Sequence, residues 1–288
     1  MADRNLNLDL NLVIPIIQKA LQEDMGRRDI TSEVLHLPLR RIKGEIIAKE
    51  EGMLAGIEVC KETFKLLSPE RVKFNYSLED GKLFKKGESI LIVEADTLTI
   101  LKGERVALNF LSHLSGIATL TKKYVDLARP YGAKIADTRK TLPNLRILEK
   151  YAVRVGGGVN HRFSLDDGIL IKDNHIKICG GVREALRRVR RENFPFQKVE
   201  IEVSNLSEVE EAIEGGAEVI MLDNMPIREI EEAVKKIREE KREILIEVSG
   251  EVALDRVVRI AQCGVDIISI GRLTHSASSL NMGLELIK

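Results

Sequence analysis

The chain has 288 residues, of which 44% are hydrophobic and 31% charged, and its 45 Lys and Arg balance 45 Asp and Glu. This composition is typical of a globular protein, and a net charge of +0 gives no overall field to attract nucleic acid or an anionic membrane. The three cysteines are widely spaced and odd in number, which excludes a complete disulfide framework. No apolar run approaches about 18 residues and no signal peptide begins the chain, so we expect a cytoplasmic protein without a membrane span.

The first predicted element is an amphipathic helix over Leu12–Leu21. Strand and turn patterns follow from Gly44 to about Asp96. Part of this stretch matches the glycine-turn pattern of lipoyl carrier modules, but it lacks the Met-Lys or Asp-Lys pair of a carrier hairpin. We therefore interpret it as a structural β domain. Apolar residues at helical spacing over Glu104–Leu120 predict a helix that crosses to a second domain.

After residue 120, short apolar runs alternate with amphipathic helices. Seven runs resemble strands, and they end at Thr138, Val155, Lys172, Val203, Asp223, Ser249 and Gly271. Helices are predicted between most of them, at Arg183–Glu192, Ser207–Gly215, Ile227–Glu240 and Val252–Gln262. This alternation indicates βα units and parallel strands, hence a closed or nearly closed β/α barrel. An open doubly wound sheet is the alternative, although neither GxGxxG nor GxxxxGK[ST] is present.

Cationic side chains are concentrated between Asp137 and His175. Within fewer than forty residues the sequence places two histidines, His161 and His175, with Arg139, Lys140, Arg154, Arg162 and Lys172. Guanidinium groups bind carboxylate or phosphate oxygens in bidentate fashion, and lysine acts as a point charge. In a chain without net charge, this concentration predicts a pocket for a small, highly anionic substrate.

A barrel would bring the polar residues at its strand ends to one rim. Those residues are Asp137, Thr138, Lys172, Asp173, Glu202, Asp223, Ser249, Gly250, Gly271 and Arg272. Phosphate sites in barrels often use the loops after the last two strands. Here these loops contain Ser249-Gly250 and Gly271-Arg272, followed by His275, so we expect them to bind phosphate.

Several blocks, in order, resemble quinolinate phosphoribosyltransferases over nearly the full length. They are GERVALNFLSHLSGIAT (103–119), DTRKTLPNLR (137–146), GGGVNHRFSLDDGILIKDNHI (156–176), EIEVSN (200–205), MLDNM (221–225), IEVSGEV (246–252) and ISIGRLTHSA (268–277). The resemblance implies an N-terminal α/β sandwich domain over residues 1–116 and an incomplete, seven-stranded β/α barrel over 117–275. It further implies a C-terminal helix within 276–288 that packs on the sandwich domain. The expected assembly is a homodimer, with hexamers left open.

The implied reaction belongs to de novo NAD biosynthesis. It joins quinolinate to 5-phosphoribosyl-1-pyrophosphate with Mg²⁺ and gives nicotinate mononucleotide, pyrophosphate and CO₂. By resemblance, quinolinate would be bound by Arg139, His161, Arg162 and Lys172, with Arg105 contributed by the neighbouring subunit, and Thr138 is a further substrate-binding residue. Lys140 would lie between the two substrates, and Glu202 and Asp223 would hold the ribose and help place Mg²⁺. Ser249, Gly250, Gly271 and His275 would bind phosphate.

Three other functions remain open on sequence grounds. Lys172 at a strand end also suits a Schiff-base lyase or aldolase. A relative of the same fold associated with molybdenum transport is a second alternative. The arginine face of the helix at 183–192 could bind nucleic acid, but we interpret it as a solvated or subunit-contact face. His175 and Asp173 are interpreted as residues that support Lys172.

Overall fold

The structure is a computed structural model that describes residues 8–192, 197–240 and 243–288. Its elements up to residue 128 are, in chain order, α1 (Leu10–Met25), α2 (Ile30–Val34), β1 (Arg41–Ala48), β2 (Gly52–Met53), α3 (Ile57–Leu67), β3 (Lys73–Ser77), β4 (Leu83–Phe84), β5 (Ser89–Asp96) and α4 (Thr97–Ala128). The helices predicted at 12–21 and 104–120 lie within α1 and α4. None of the helices in the described ranges is long and apolar enough to span a membrane.

After α4 and a 3₁₀ turn, strands and helices alternate. The elements are β6 (Lys134–Ala136), α5 (Arg146–Val155), β7 (Ile169–Ile171), α6 (Asp173–Cys179), α7 (Val182–Arg191), β8 (Val199–Val203), α8 (Leu206–Gly215), β9 (Val219–Asp223), α9 (Ile227–Glu240), β10 (Leu245–Ser249), α10 (Leu254–Gln262), β11 (Ile267–Ser269), α11 (Arg272–His275) and β12 (Met282–Ile287). All four helices predicted between residues 183 and 262 are present, with ends shifted by at most two residues.

The chain divides into two compact units. The first contains the described residues up to Lys122 together with 141–157 and 273–288, and the second contains 123–140 and 158–272. The division does not follow a single cut near residue 116, because α4 runs through that position as one continuous helix. The segment 141–157, which carries α5, also belongs to the first unit.

An antiparallel sheet forms the centre of the first unit, with strand order β12-β1-β5-β3. One face is covered by helices, and the core between them contains Ile46, Phe64, Leu91 and Val93, all fully buried. The alternating burial of β1 is what a half-buried antiparallel strand requires. This confirms an N-terminal α/β sandwich.

The helix predicted at the C-terminus, within 276–288, is wrong. Residues Met282–Ile287 form β12, which pairs with β1 from Met282↔Ala48 to Ile287↔Lys43. The edge of β1 that faces away from β5 explains this conformation. As a strand, the C-terminal segment forms hydrogen bonds with the backbone N–H and C=O groups on that edge, whereas a short helix would leave them unpaired. The C-terminal segment nevertheless belongs to the first unit, and the resemblance had implied that it packs on the sandwich domain.

A parallel sheet forms the centre of the second unit, with strand order β6-β11-β10-β9-β8-β7. Ile201, Ile220, Ile246 and Ile268 are fully buried within it, which fits strands covered on both faces. Six of the seven predicted runs form this sheet. The β/α barrel is incomplete, as expected, and the carboxyl ends of its strands share one edge.

The run ending at Val155 is the exception, because it lies in α5 rather than in a strand. Seven of its ten residues are buried, including Glu149, Lys150 and Val153, so α5 is a helix covered on nearly all sides. Next to β6, where a seventh strand would lie, Val159 alone forms a single parallel bridge with Ala136.

Candidate active site

Lys172 and Glu202 form an ion pair at the carboxyl ends of β7 and β8. Lys172 Nζ donates to Glu202 Oε2 at 2.8 Å. The strands are paired in parallel with Ile171 opposite Ile201, so the residues that follow them, Lys172 and Glu202, lie side by side. The side chain of Lys172 is 47% exposed and that of Glu202 is 13% exposed, so the pair sits at the mouth of the barrel.

The backbone around Lys172 is fixed by the start of α6. The Lys172 N–H donates to His175 Nδ1 at 3.0 Å, and Lys177 donates to Asp173 on the same helix. His175 therefore orients the Lys172 segment, which is the role predicted for it.

Asp223 and Ser249 end the neighbouring strands β9 and β10. They are directly opposite in the parallel register, and Glu202 is opposite Met221, two residues before Asp223. Since strand side chains alternate between faces, Glu202, Asp223 and Ser249 project from the same face of the sheet. The predicted acidic pair and the predicted phosphate loop thus meet on one rim.

Two guanidinium groups lie near one another in the second unit. Burial lowers the pKa of Arg162, and the charge of Arg139 lowers it further. Arg162 also donates to the carbonyl oxygen of Gly168 at 3.4 Å. On the segment after β6, the Lys140 N–H donates to Thr138 Oγ1 at 3.0 Å, which shapes the turn that carries Arg139. Half-buried like charges of this kind favour an anionic ligand between them.

The loop that carries Arg162 is attached to the barrel through Asp137. This carboxylate is fully buried, and it accepts hydrogen bonds from the His161 N–H at 3.0 Å and from the Asn160 side chain. The predicted strand-end residue Asp137 is therefore a structural anchor. It sets the position of Arg162, the next residue along the loop.

Inside the barrel, the His161 ring faces two buried acids. Its Nε2 lies 3.2 Å from Glu200 Oε2 and 3.5 Å from Glu247 Oε1. Burial lowers the pKa of His161, but the bonds to Glu200 and Glu247 outweigh it and raise the pKa to about 10. Burial in turn raises the pKa of Glu200. We expected His161 to bind the substrate; in this structure its Nε2 points to the barrel interior.

Glu200 and Glu247 were not singled out from the sequence. A signal was present, because the run Val199–Val203 alternates so that Glu200 shares the face of Glu202. Two acids on one face of a strand that is otherwise fully apolar require a partner inside the protein. What the sequence did not supply was the identity of that partner, which comes from a loop almost forty residues earlier.

Among the described residues, His161, Glu200 and Glu247 are the cluster whose ligand atoms lie close enough to hold a metal ion, within 4.8 Å of one another. The Arg162 N–H donates to His161 Nδ1, which favours the tautomer with its proton on Nε2. The imidazolium form also carries a proton on Nε2. In both forms the proton on Nε2 faces the acids, so Nε2 has no lone pair for a metal and this cluster is an ion-pair network.

The remaining predicted residues are distributed as follows. Gly250 has a φ of 115°, and Gly271 follows β11 in the same unit. Arg105 is exposed on α4, and His275, whose Nδ1 lies 2.6 Å from Ser276 Oγ, is exposed in α11. Both belong to the first unit.

The arginine face of α7 is held in contacts within the protein. Three of its members donate to nearby groups: Arg183 to Glu214, Arg187 to Glu184, and Arg190 to the Gly216 carbonyl oxygen. Contacts of this kind use the donors that phosphate groups of a nucleic acid would need. They favour the interpretation of this face as a solvated surface.

The His161 network predicts a specific pH dependence of stability. A group whose folded pKa is raised stabilises the fold fully below its unfolded pKa, about 6.5 for histidine, and the contribution is lost as pH rises towards about 10. We expect the free energy of unfolding to fall between pH 7 and 10, and to fall less steeply in His161→Gln. Urea unfolding across this range measures it, with His36→Asn as the control. Equal slopes in all three proteins would contradict the assignment.

Comparisons with known proteins identify the family of the chain. Residues 29–115 match the N-terminal domain of quinolinate phosphoribosyl transferase, and residues 117–285 match its C-terminal domain. A probable carboxylating nicotinate-nucleotide pyrophosphorylase of Methanocaldococcus jannaschii is 46% identical over 96% of this chain and 97% of its own. Its Bacillus subtilis counterpart is 42% identical over 92% and 90%.

Solved structures give the same result. The crystal structure of nicotinate-nucleotide pyrophosphorylase from Ehrlichia chaffeensis is 38% identical, covers all of both chains and superposes with a TM-score of 0.90. NadC from Streptococcus pyogenes is 40% identical over 98% of this chain and 99% of its own, also with a TM-score of 0.90. The chain belongs to the quinolinate phosphoribosyltransferase family.

Proposed function

We propose that this protein transfers the phosphoribosyl group of 5-phosphoribosyl-1-pyrophosphate to quinolinate, giving nicotinate mononucleotide, pyrophosphate and CO₂ in NAD biosynthesis. The observation that carries the proposal is the gathering of one cation and two acids at the carboxyl ends of neighbouring strands: Lys172 bonds to Glu202 at 2.8 Å, and Glu202 and Asp223 project from the same face. Quinolinate has two adjacent carboxylates, which suit Lys172 and the half-buried Arg139 and Arg162. Relatives at 38–46% identity are named nicotinate-nucleotide pyrophosphorylases, the enzymes of this reaction.

In this reaction the pyridine nitrogen attacks C1 of the ribose while the C1–O bond to pyrophosphate breaks. Glu202 and Asp223 stabilise the positive charge that develops on the sugar, and Lys140 stabilises the departing pyrophosphate. These are electrostatic roles, and they need no covalent intermediate with the protein. Decarboxylation follows because the electron pair of the broken C–C bond is stabilised beside the positively charged ring nitrogen, and a proton then replaces CO₂.

Lys172 binds a carboxylate of quinolinate in this proposal. Its Nζ already donates to a carboxylate, that of Glu202, at 2.8 Å, so its position suits an oxygen anion. The same contact favours an ion-pairing role for Lys172 over the Schiff-base alternative. The relative associated with molybdenum transport is disfavoured by the presence of Arg139, Arg162 and Lys172 together.

Quinolinate binding is tested by single substitutions. We expect Arg139→Ala, Arg162→Ala and Lys172→Ala each to raise the KM for quinolinate by about tenfold or more, since a hydrogen bond to a charged group contributes about 1.5–3 kcal/mol. Steady-state kinetics with release of CO₂ and pyrophosphate measure the effect. Arg183→Ala, which removes an exposed arginine paired with Glu214, is the matched control. Normal kinetics in all three site variants would overturn the assignment.

Glu202 and Asp223 are also the residues proposed to hold Mg²⁺, directly or through water or substrate. Glu202 Oε1 and Asp223 Oδ1 make no hydrogen bond to other residues in the described part of the chain, while their second oxygens are bonded to Lys172 and Asn224. Two carboxylate oxygens suit a hard cation that takes its remaining ligands from phosphate and water. When bound, Mg²⁺ supplies positive charge beside the pyrophosphate.

The Mg²⁺ proposal predicts that a chelator abolishes turnover and that added Mg²⁺ restores it. Glu202→Gln removes one negative charge from the pair, so we expect the Mg²⁺ concentration for half-maximal rate to rise by about tenfold. Titration of the rate against Mg²⁺ measures this, with Glu231→Gln on the exposed side of α9 as the control. A rate independent of Mg²⁺ after chelation would contradict the proposal.

We further propose a cytoplasmic homodimer in which Arg105 of one subunit completes the quinolinate site of the other. The free thiols of Cys60, Cys179 and Cys263 fit a reducing compartment. Arg105 is an exposed cation on α4, within the block that resembles the family. Its exposed position on a helix suits a role across a two-fold interface.

Subunit complementation tests this arrangement. Assayed at a quinolinate concentration well below the wild-type KM, the Arg105→Ala and Lys172→Ala homodimers are each expected to have at most about a tenth of the wild-type activity. Co-expression of the two variants should recover about a quarter of the wild-type activity, because half of the dimers are mixed and each mixed dimer has one intact site. Lys172→Ala mixed with Arg139→Ala is the control, since both residues belong to the same subunit's site. Recovery in neither mixture would place Arg105 outside a shared site.

A further inference from the structure

Asn224 has an unusual backbone conformation at the rim of the barrel. Its φ is 54°, and it immediately follows Asp223, the last residue of β9. A non-glycine residue in the left-handed region is uncommon and strained, and asparagine tolerates this region better than most residues. Such strain persists where the surroundings impose it, and it concentrates at functional sites.

Three hydrogen bonds hold Asn224 in this conformation. Its backbone N–H donates to the carbonyl oxygen of Ser249 at 3.1 Å. Its side-chain Oδ1 accepts from the Glu251 N–H at 3.1 Å, and its Nδ2 donates to Asp223 Oδ2 at 2.8 Å. One residue therefore connects the carboxylate that ends β9 to the turn that follows β10.

The backbone of Gly250 lies very close to Asn224. A Cβ at position 250 would lie 2.2 Å from Asn224 Oδ1 and 3.1 Å from its backbone nitrogen, and the φ of Gly250 is 115°. Only glycine fits there, for reasons of both space and conformation. The close approach leaves the backbone of Ser249-Gly250-Glu251, the phosphate loop, facing a fixed amide.

An amide side chain is the group that can make both side-chain contacts. It offers an acceptor to the Glu251 N–H and a donor to the Asp223 carboxylate. An aspartate would keep the acceptor but place a second negative charge against Asp223. Asn224 is exposed and packs no core, so its contacts serve local geometry more than burial.

We propose that Asn224 is a positioning residue that fixes the spacing between Asp223 and the phosphate loop, so that the ribose and a phosphate of one substrate bind together. This rests on the proposed function for the identity of that substrate, 5-phosphoribosyl-1-pyrophosphate. Quinolinate is bound by groups on other strands and loops, so its affinity does not depend on this spacing.

Asn224→Asp is the most informative variant because it preserves the shape of the side chain. We expect the KM for 5-phosphoribosyl-1-pyrophosphate to rise by about tenfold or more, and the KM for quinolinate to change by less than about twofold. Asn224→Gly, which permits the positive φ but removes both side-chain bonds, should show the same split. His36→Gly is the matched control, since it relieves a positive φ of 47° at an exposed position outside the proposed site.

Calorimetric binding of 5-phosphoribosyl-1-pyrophosphate with Mg²⁺ gives a readout that does not need turnover. Weaker binding by Asn224→Asp than by wild type, at an unchanged melting temperature, supports the proposal. Equal affinity, an equal rise in both KM values, or a lowered melting temperature that accounts for the loss would overturn it. Wild-type binding without turnover would overturn the proposed function alone, and absence of wild-type binding would overturn both.

Discussion

The burial of Glu200 and Glu247 inside the barrel is the constraint on which the site depends. A carboxylate removed from water is costly unless it is paired and hydrogen-bonded. Here the partner of both acids is His161, whose Nε2 donates to Glu200 and lies at ion-pair distance, 3.5 Å, from Glu247 Oε1. Because His161 belongs to the loop at 158–168, pairing the acids also fixes that loop against the strands.

The consequences extend to the neighbouring residues of the loop. Asp137 binds the backbone of His161 and the side chain of Asn160, so the loop is fixed from β6 as well as from β8 and β10. Arg162 then has little freedom and is held near Arg139 despite their mutual repulsion. A site arranged in this way is positively charged before the substrate arrives, which is what electrostatic preorganisation requires.

The rim of the barrel shows a second kind of constraint. Asp223 and the phosphate loop lie on different strands, and parallel register brings them to the same level. Register alone does not set the rotation of a carboxylate or the path of a turn. In this protein the amide of Asn224 sets both, at the expense of a strained backbone.

Local sequence predicted much of the fold because the relevant signals were short in range. The alternation of apolar strands with amphipathic helices was sufficient to indicate six strands of the barrel and the helices between them. The segment 151–155 was misassigned as a strand, since a short apolar run does not distinguish a strand from a buried helix. The C-terminal segment was misassigned as a helix, because its strand conformation depends on the edge of β1, more than two hundred residues earlier.

The sequence by itself determined the family, the types of charged group and the strand ends on which they lie, since these follow from residue identity, spacing and the resemblance of whole blocks. Which of these groups meet depends on the folded chain. The pairing of His161 with Glu200 and Glu247, and the contacts of Asn224 with two strand ends, join residues far apart in the chain. Their energies depend on burial and distance, and neither quantity is defined until the chain has folded.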